Sequence, residues 1–245
     1  MDEWADRPAL LQARGLGLSF GALRVIHDLS FDVRPREVLG ILGPNGAGKT
    51  TLFNLINGDL RTDEGQLQFR GQILDGPPFE RCAAGIGRAY QIPKPYLKMT
   101  AFENLLVAAS FGSGLRGADS YDRCAQSIAD CGLSDRANTL AGSLTLLNRK
   151  RLELARALEI GPKLLLLDEI AGGLTEDKRQ ELVALIRQIR NQSVTIVWIE
   201  HFLHALLAVA DRLLVLNFGE KIAERRPDEV IDMPDVKRVH MGIEA

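Results

Sequence analysis

An α/β fold around a mainly parallel sheet is predicted for this 245-residue chain, and three features of the sequence predict it. The apolar run Val38-Leu39-Gly40-Ile41-Leu42 leads into Gly43-Pro44-Asn45-Gly46-Ala47-Gly48-Lys49-Thr50, a complete G-x-x-x-x-G-K-[ST] loop, and residues 51–56 behind it read as a helix. Leu164-Leu165-Leu166-Leu167 is a short, wholly apolar strand of the kind buried on both faces of a parallel sheet. From there to residue 217 the pattern alternates strand, helix, strand.

The elements follow in chain order. Loose apolar–polar alternation over residues 9–33, with a turn at Gly21, predicts one strand up to Phe20 and another over residues 25–33. After the loop and its helix, residues 65–69 and 72–74 form a hairpin pattern around Arg70-Gly71. Residues 75–100, rich in Gly and Pro, read as irregular connections. Residues 102–158 turn helical, with breaks at Gly112-Ser113-Gly114 and near Gly132 and Gly142. Residues 176–190 form an amphipathic helix with Leu182, Leu185, Ile186 and Ile189 on one face. Residues 194–199 and 213–217 are strands flanking a helix at 203–210. The organisation is one domain over 1–245: an N-terminal β part and the start of a core at 9–91, an inserted helical subdomain at 92–158, and the rest of the core with a tail at 159–245.

Composition narrows the class. Thirty basic against 32 acidic residues give a net charge of −2, which offers nucleic acid no bulk attraction. No segment approaches about 20 uninterrupted apolar residues, and Met1-Asp2-Glu3-Trp4 lacks a basic-then-apolar leader, so the chain is expected in the cytosol. Cys82, Cys124 and Cys131 are odd in number and lack metal-ligand spacing, and read as reduced structural thiols.

The loop carries the chemistry. Its glycines let backbone N–H groups turn inward around a triphosphate without a Cβ in the way. Lys49 supplies positive charge to the outer phosphates, and the Thr50 hydroxyl is a ligand for Mg²⁺. Thr51 opens the helix, whose positive end faces the anion. The strand over residues 164–167 ends in Asp168-Glu169, at the carboxyl edge where such sheets bind ligands. Asp168 is placed to hold Mg²⁺ through water, and Glu169 to polarise the attacking water. The bound cation relieves the repulsion between the neighbouring carboxylates. An acceptor-binding lid and a guanine-specific Asn-Lys-x-Asp are both missing, which disfavours a kinase or a GTPase.

With these motifs in this order, the chain resembles the ATP-binding subunits of ABC transporters over roughly residues 10–242. The resemblance implies a P-loop NTPase cassette with ATP and Mg²⁺ as cofactors. It implies that Gln91, in Arg88-Ala89-Tyr90-Gln91-Ile92, is the Q-loop glutamine that meets the metal and the water. His201, in Ile199-Glu200-His201, matches the switch histidine that contacts the γ-phosphate. Phe20 matches the aromatic that stacks on adenine. Two further segments, Thr100 through Ala108 and Pro234-Asp235-Val236-Lys237-Arg238-Val239-His240-Met241-Gly242, are similar to ATPases of branched-chain amino acid importers and their relatives. The implied partners are a second ATPase subunit, transmembrane permease subunits reached through the Gln91–Met99 loop, and indirectly a solute-binding protein. No nucleic acid is implied, and the implied place is the cytoplasmic face of the membrane.

The chain departs from the family where a partner is served. The family's Leu-Ser-Gly-Gly-Gln cap is here Leu144-Thr145-Leu146-Leu147-Asn148. Thr145 keeps a hydroxyl for the partner's γ-phosphate, but Leu146 and Leu147 are expected to put branched side chains where backbone should approach it. Ile170 stands where the family usually has Pro, and Thr175 where it has Asp or Asn. These departures predict a heterodimer with one working and one weakened site. The alternatives are a non-hydrolysing or regulatory subunit and a soluble ABC ATPase without a transport role.

Overall fold

The structure, a computed structural model, describes residues 7–113, 117–234 and 236. Strands β1 (Leu11–Phe20) and β2 (Leu23–Val33) pair antiparallel across the turn at Gly21. β3 (Val38–Leu42) enters the phosphate loop and α1 (Lys49–Asn57) leaves it. β4 (Glu64–Phe69) pairs with β1, and β5 (Gln72–Ile73) folds back on β4 through Arg70-Gly71, both at positive φ as the tight hairpin requires. Next come α2 (Pro78–Ala84) and β6 (Ile86–Ala89).

The helical block contains α3 (Ala101–Ala108), α4 (Ala118–Asp130) and α5 (Leu146–Glu159). A reciprocal capping box between Thr100 and Glu103 starts α3. The core resumes with β7 (Leu164–Asp168), α6 (Glu176–Asn191), β8 (Thr195–Ile199), α7 (Leu203–Leu207), β9 (Arg212–Asn217), β10 (Glu220–Arg225) and α8 (Pro227–Ile231).

Two sheets result. The antiparallel one has the order β2-β1-β4-β5, and the six-stranded one β10-β9-β3-β8-β7-β6. In the latter every neighbouring pair is parallel except β9 with β10. Alternation along its strands divides the core. Leu164, Leu166, Val197, Ile199, Leu214 and Leu216 face α1 and the antiparallel sheet, while Leu165, Leu167, Ile196, Trp198, Leu213 and Val215 face the helical block and α6. Both faces are covered, which is why these strands read as unbroken apolar runs. Because β3, β8, β7 and β6 run parallel, the loop, His201, Asp168-Glu169 and Gln91 all emerge at one edge.

The region expected to be irregular over residues 75–100 contains α2 and β6. Pro78 at the first helical position and Gly85 at φ 104° after the last bound α2. β6 lacks an apolar alternation of its own and becomes a strand by pairing with β7. Its Gly87 is required by packing, since a Cβ there would lie 2.7 Å from the Ala157 carbonyl oxygen of α5. The expected break at Gly112-Ser113 is a widened π-type turn over Ala109–Ser113, and Gly114 falls outside the described residues. The helix expected over residues 203–210 stops at Leu207, and β10 and α8 follow where no element was expected. Phe218-Gly219 turns the β9–β10 hairpin, and its Phe is exposed. The N-terminal Met1-Asp2-Glu3-Trp4 and the tail motif beyond Pro234, Val236 excepted, also lie outside the described residues. Cys124 and Cys131 are buried free thiols, and Cys82 is half-buried.

Gly87→Ala is expected to lower stability by about 1–3 kcal/mol, because the Ala157 carbonyl belongs to a helix that cannot yield cheaply. Urea unfolding should show a lower midpoint with an unchanged slope.

Candidate functional site

The phosphate loop is shaped by its neighbours. Gly48 caps α1 at φ 92°, a conformation that a side chain resists, and a Cβ there would also meet Ile26 Cδ1 at 2.9 Å. Gly43, Ala47 and Gly48 are buried, Pro44 and Thr51 are half-buried, and Asn45, Gly46 and Thr50 face solvent. The first N–H groups of α1 have no partner within the helix, so they are available to an anion. Lys49 is 5% exposed, and its ammonium donates to the carbonyl oxygens of Gly43 (2.8 Å) and Pro44 (2.9 Å). Burial lowers its pKa, while the charges of Glu169 and Asp168 raise it.

Glu169 is the meeting point. It follows β7 at φ 45°, in the left-handed region that a non-glycine residue enters only when its surroundings impose it. Its N–H donates to the Ile199 carbonyl at 2.9 Å. The carboxylate accepts from Gln91 Nε2 at 2.8 Å and faces His201 Nε2 at 2.7 Å, with Lys49 Nζ at 4.0 Å. Four residues singled out in the sequence are thus brought together. The side chain of His201 is 39% exposed and that of Glu169 is 11% exposed, so the cluster opens to solvent on the histidine side.

Asp168 is engaged by a residue that sequence reading missed. Arg88 Nη2 donates to its Oδ2 at 2.6 Å, while Nη1 reaches Asn54 Oδ1 (2.8 Å) and Asp59 Oδ2 (3.2 Å). The guanidinium also sits 4.7 Å from the centre of the Tyr90 ring. Both partners of the Arg88–Asp168 pair are nearly inaccessible, at 5% and 6%. The signal available was a lone Arg among small and apolar residues, three residues before Gln91. Thr50, Asp168 and Gln91, expected from the sequence as metal ligands, each carry a side-chain oxygen, the donor type that a hard cation such as Mg²⁺ takes, and in Asp168 one oxygen is engaged by Arg88.

Phe20 and Thr145 stand apart from the cluster. Phe20 lies at the tip of the β1–β2 hairpin, 51% exposed rather than in the core, on a hairpin whose Ile26 packs against the phosphate loop. Thr145 caps α5, with its hydroxyl accepting from the Asn148 N–H at 3.4 Å. One expectation at this cap is corrected. Leu147 does not face outward, because at 7% exposure it is part of the core under α5. Only Leu146 presents its side chain at the surface, 43% exposed and beside Gly173. Ile170 is likewise a core residue, and Thr175 is the cap residue of α6.

A P-loop at the edge of a parallel sheet, facing a Glu–Gln–His cluster, defines a nucleotide-hydrolysing cassette. The family profile described as ABC transporter matches residues 26–172, and the chain belongs to that family as an ABC-type ATPase. It is 36% identical over 249 residues to the high-affinity branched-chain amino acid transport ATP-binding protein LivG of Salmonella typhimurium, spanning 95% of this chain and 98% of LivG. It is 31% identical to the lipopolysaccharide export system ATP-binding protein LptB of Haemophilus influenzae, over 96% of this chain and 98% of LptB. Among solved structures it is similar to the ATP-binding cassette MJ1267 in its ADP conformation, with a TM-score of 0.87 and 28% identity over 96% of this chain and 100% of that one.

Arg88→Met is expected to cost about 3–5 kcal/mol of stability by leaving the buried Asp168 carboxylate unpaired. Combining it with Asp168→Asn should recover part of that loss in a double-mutant unfolding cycle.

Proposed function

We propose that this chain is the ATP-hydrolysing motor subunit of an importer for branched-chain amino acids or a similar small polar solute. It works at the cytoplasmic face of the membrane, bound to permease subunits that a solute-binding protein supplies. The observation that carries the reading is the 36% identity to LivG across nearly the whole of both chains. Similarity to LptB at 31% favours export as a second reading, and the higher identity to LivG puts import first.

ATP with Mg²⁺ supplies the bond to be broken. The chain's own groups do the rest. Lys49 and the N–H groups at the start of α1 hold negative charge, and Thr50, Asp168 and Gln91 offer the oxygen ligands. Glu169 takes a proton from the attacking water. Gln91 and His201 grip its carboxylate from two sides and fix its direction. Phe20 stacks on the base in this reading, which its exposure at the hairpin tip supports.

No helix of the described residues is long and apolar enough to cross a membrane, so a motor role requires a docking surface. A cleft beside the Gln91 loop offers one. It is lined by Phe79, Tyr96, Phe111, Arg156 and Ile160, and the first three are largely exposed. Apolar surface of this kind is characteristic of a contact site.

The second subunit of the dimer is a different chain in this proposal. The phosphate loop, Glu169, Gln91 and His201 complete a site when a partner supplies an ordinary cap. Leu146, protruding beside Thr145, weakens the reciprocal one.

In the assembled complex, Glu169→Gln is expected to reduce turnover by about 10²-fold or more while changing ATP affinity by less than about twofold. Phosphate release and equilibrium nucleotide binding measure the two. Turnover that survived would move the base elsewhere, and co-purification with neither a permease nor a second cassette would favour the soluble or regulatory alternatives. Leu146→Gly should raise turnover per complex by up to about twofold, the gain of a second working site, whereas Leu147→Gly should chiefly destabilise the core. Equal activity before and after Leu146→Gly would refute the weakened cap.

A further inference from the structure

Glu200 takes no part in the chemistry above, yet it is a fully buried carboxylate next to it, 0% exposed and wedged between the end of β8 and His201. Keeping a charge there is costly without partners. Burial pushes its pKa up to about 7. Its Oε1 accepts the Ala171 N–H at 2.8 Å, and the Trp198 indole and the His201 N–H also favour its charged form. Two neighbouring charges bear on it: Lys150 of α5 attracts it and Glu169 repels it.

Ala171 belongs to the turn that carries Glu169. The turn is closed by the Gly172 N–H donating to the Glu169 carbonyl at 3.1 Å. Three consecutive residues at the end of β8 therefore hold three parts of one structure. Ile199 accepts the Glu169 N–H, Glu200 accepts the Ala171 N–H, and His201 meets the Glu169 carboxylate. Glu169 sits at positive φ, a conformation that relaxes unless both ends of its turn are tied. Glu200 supplies the tie on the far side. Lys150 connects the same region to the glutamine loop, since its ammonium donates to the Gln91 carbonyl at 3.0 Å.

We infer that Glu200 is a positioning residue for ATP hydrolysis, holding the Ala171 N–H so that the strained turn aims the Glu169 carboxylate between Gln91 and His201. The inference rests on Glu169 being the base. The grip needs an oxygen acceptor at the end of the side chain and does not need its charge. Glu200→Gln keeps the acceptor, and Glu200→Met removes it at similar volume.

Three measurements test this. In the full-length chain, amide exchange over residues 169–172 should quicken about tenfold or more in Glu200→Met and stay near wild type in Glu200→Gln. In the assembled complex, Glu200→Met should lose about 10- to 100-fold in kcat with KM for ATP within about twofold, and Glu200→Gln should restore most of the rate. Should Glu200→Met not fold, Glu200→Ala is measured in its place. Wild-type exchange and kcat in the acceptor-less variant would overturn the inference while leaving Glu169 as the base. A Glu200→Gln variant as slow as Glu200→Met would overturn it too, because charge would then be what matters. Undiminished turnover in Glu169→Gln would instead defeat the assignment of the base itself.

Discussion

The Glu169 carboxylate, held by Gln91 and His201 with Lys49 within 4.0 Å, is the interaction on which the site depends. Each of these residues follows a different strand of one sheet: β6, β8 and, through the phosphate loop, β3. The cluster exists because those strands are parallel and because β8 lies between β3 and β7. An antiparallel arrangement would send half of them to the opposite edge. The topology is thus a chemical requirement as well as a packing solution.

Around that centre the chain keeps several buried charges, and each is tied to an element that bounds the site. Arg88 neutralises Asp168 while also reaching α1 through Asn54 and the segment after it through Asp59. Lys150 joins α5 to the Gln91 loop, and Glu200 ties the turn after β7 to the end of β8. Such groups add little to net stability compared with apolar side chains of equal volume. Their value lies in fixing geometry at places where several elements meet, since each has only a few arrangements that satisfy its hydrogen bonds.

The cap of α5 shows how one substitution pattern divides between two roles. Leu147 joins the core and contributes packing, whereas Leu146 stands at the surface beside Gly173. Two adjacent leucines look alike in sequence, and helical geometry separates them by about 100°. Whether a side chain stands at the surface or fills the core follows from that rotation.

Reading the sequence was enough where a residue's chemistry and its local conformation coincide. The loop Gly43–Thr50 was legible as the turn between β3 and α1, because its glycine spacing and its lysine suit a phosphate whatever surrounds them. Leu164–Leu167 had to be a buried strand, since so apolar a run cannot stand in water. β6 was not legible, because four residues including Gly87 and Arg88 form a strand only when β7 offers its edge. Nor were β10 and α8, whose polar sequences carry no clear period. Arg88 and Glu200 read as ordinary charges in sequence, and became parts of the site only once distant segments enclosed them. Local composition determined the loop, the central strands and the acidic pair. The tertiary structure decided which charges are buried and what they hold, because burial and long-range pairing belong to the whole packed chain and to no segment of it.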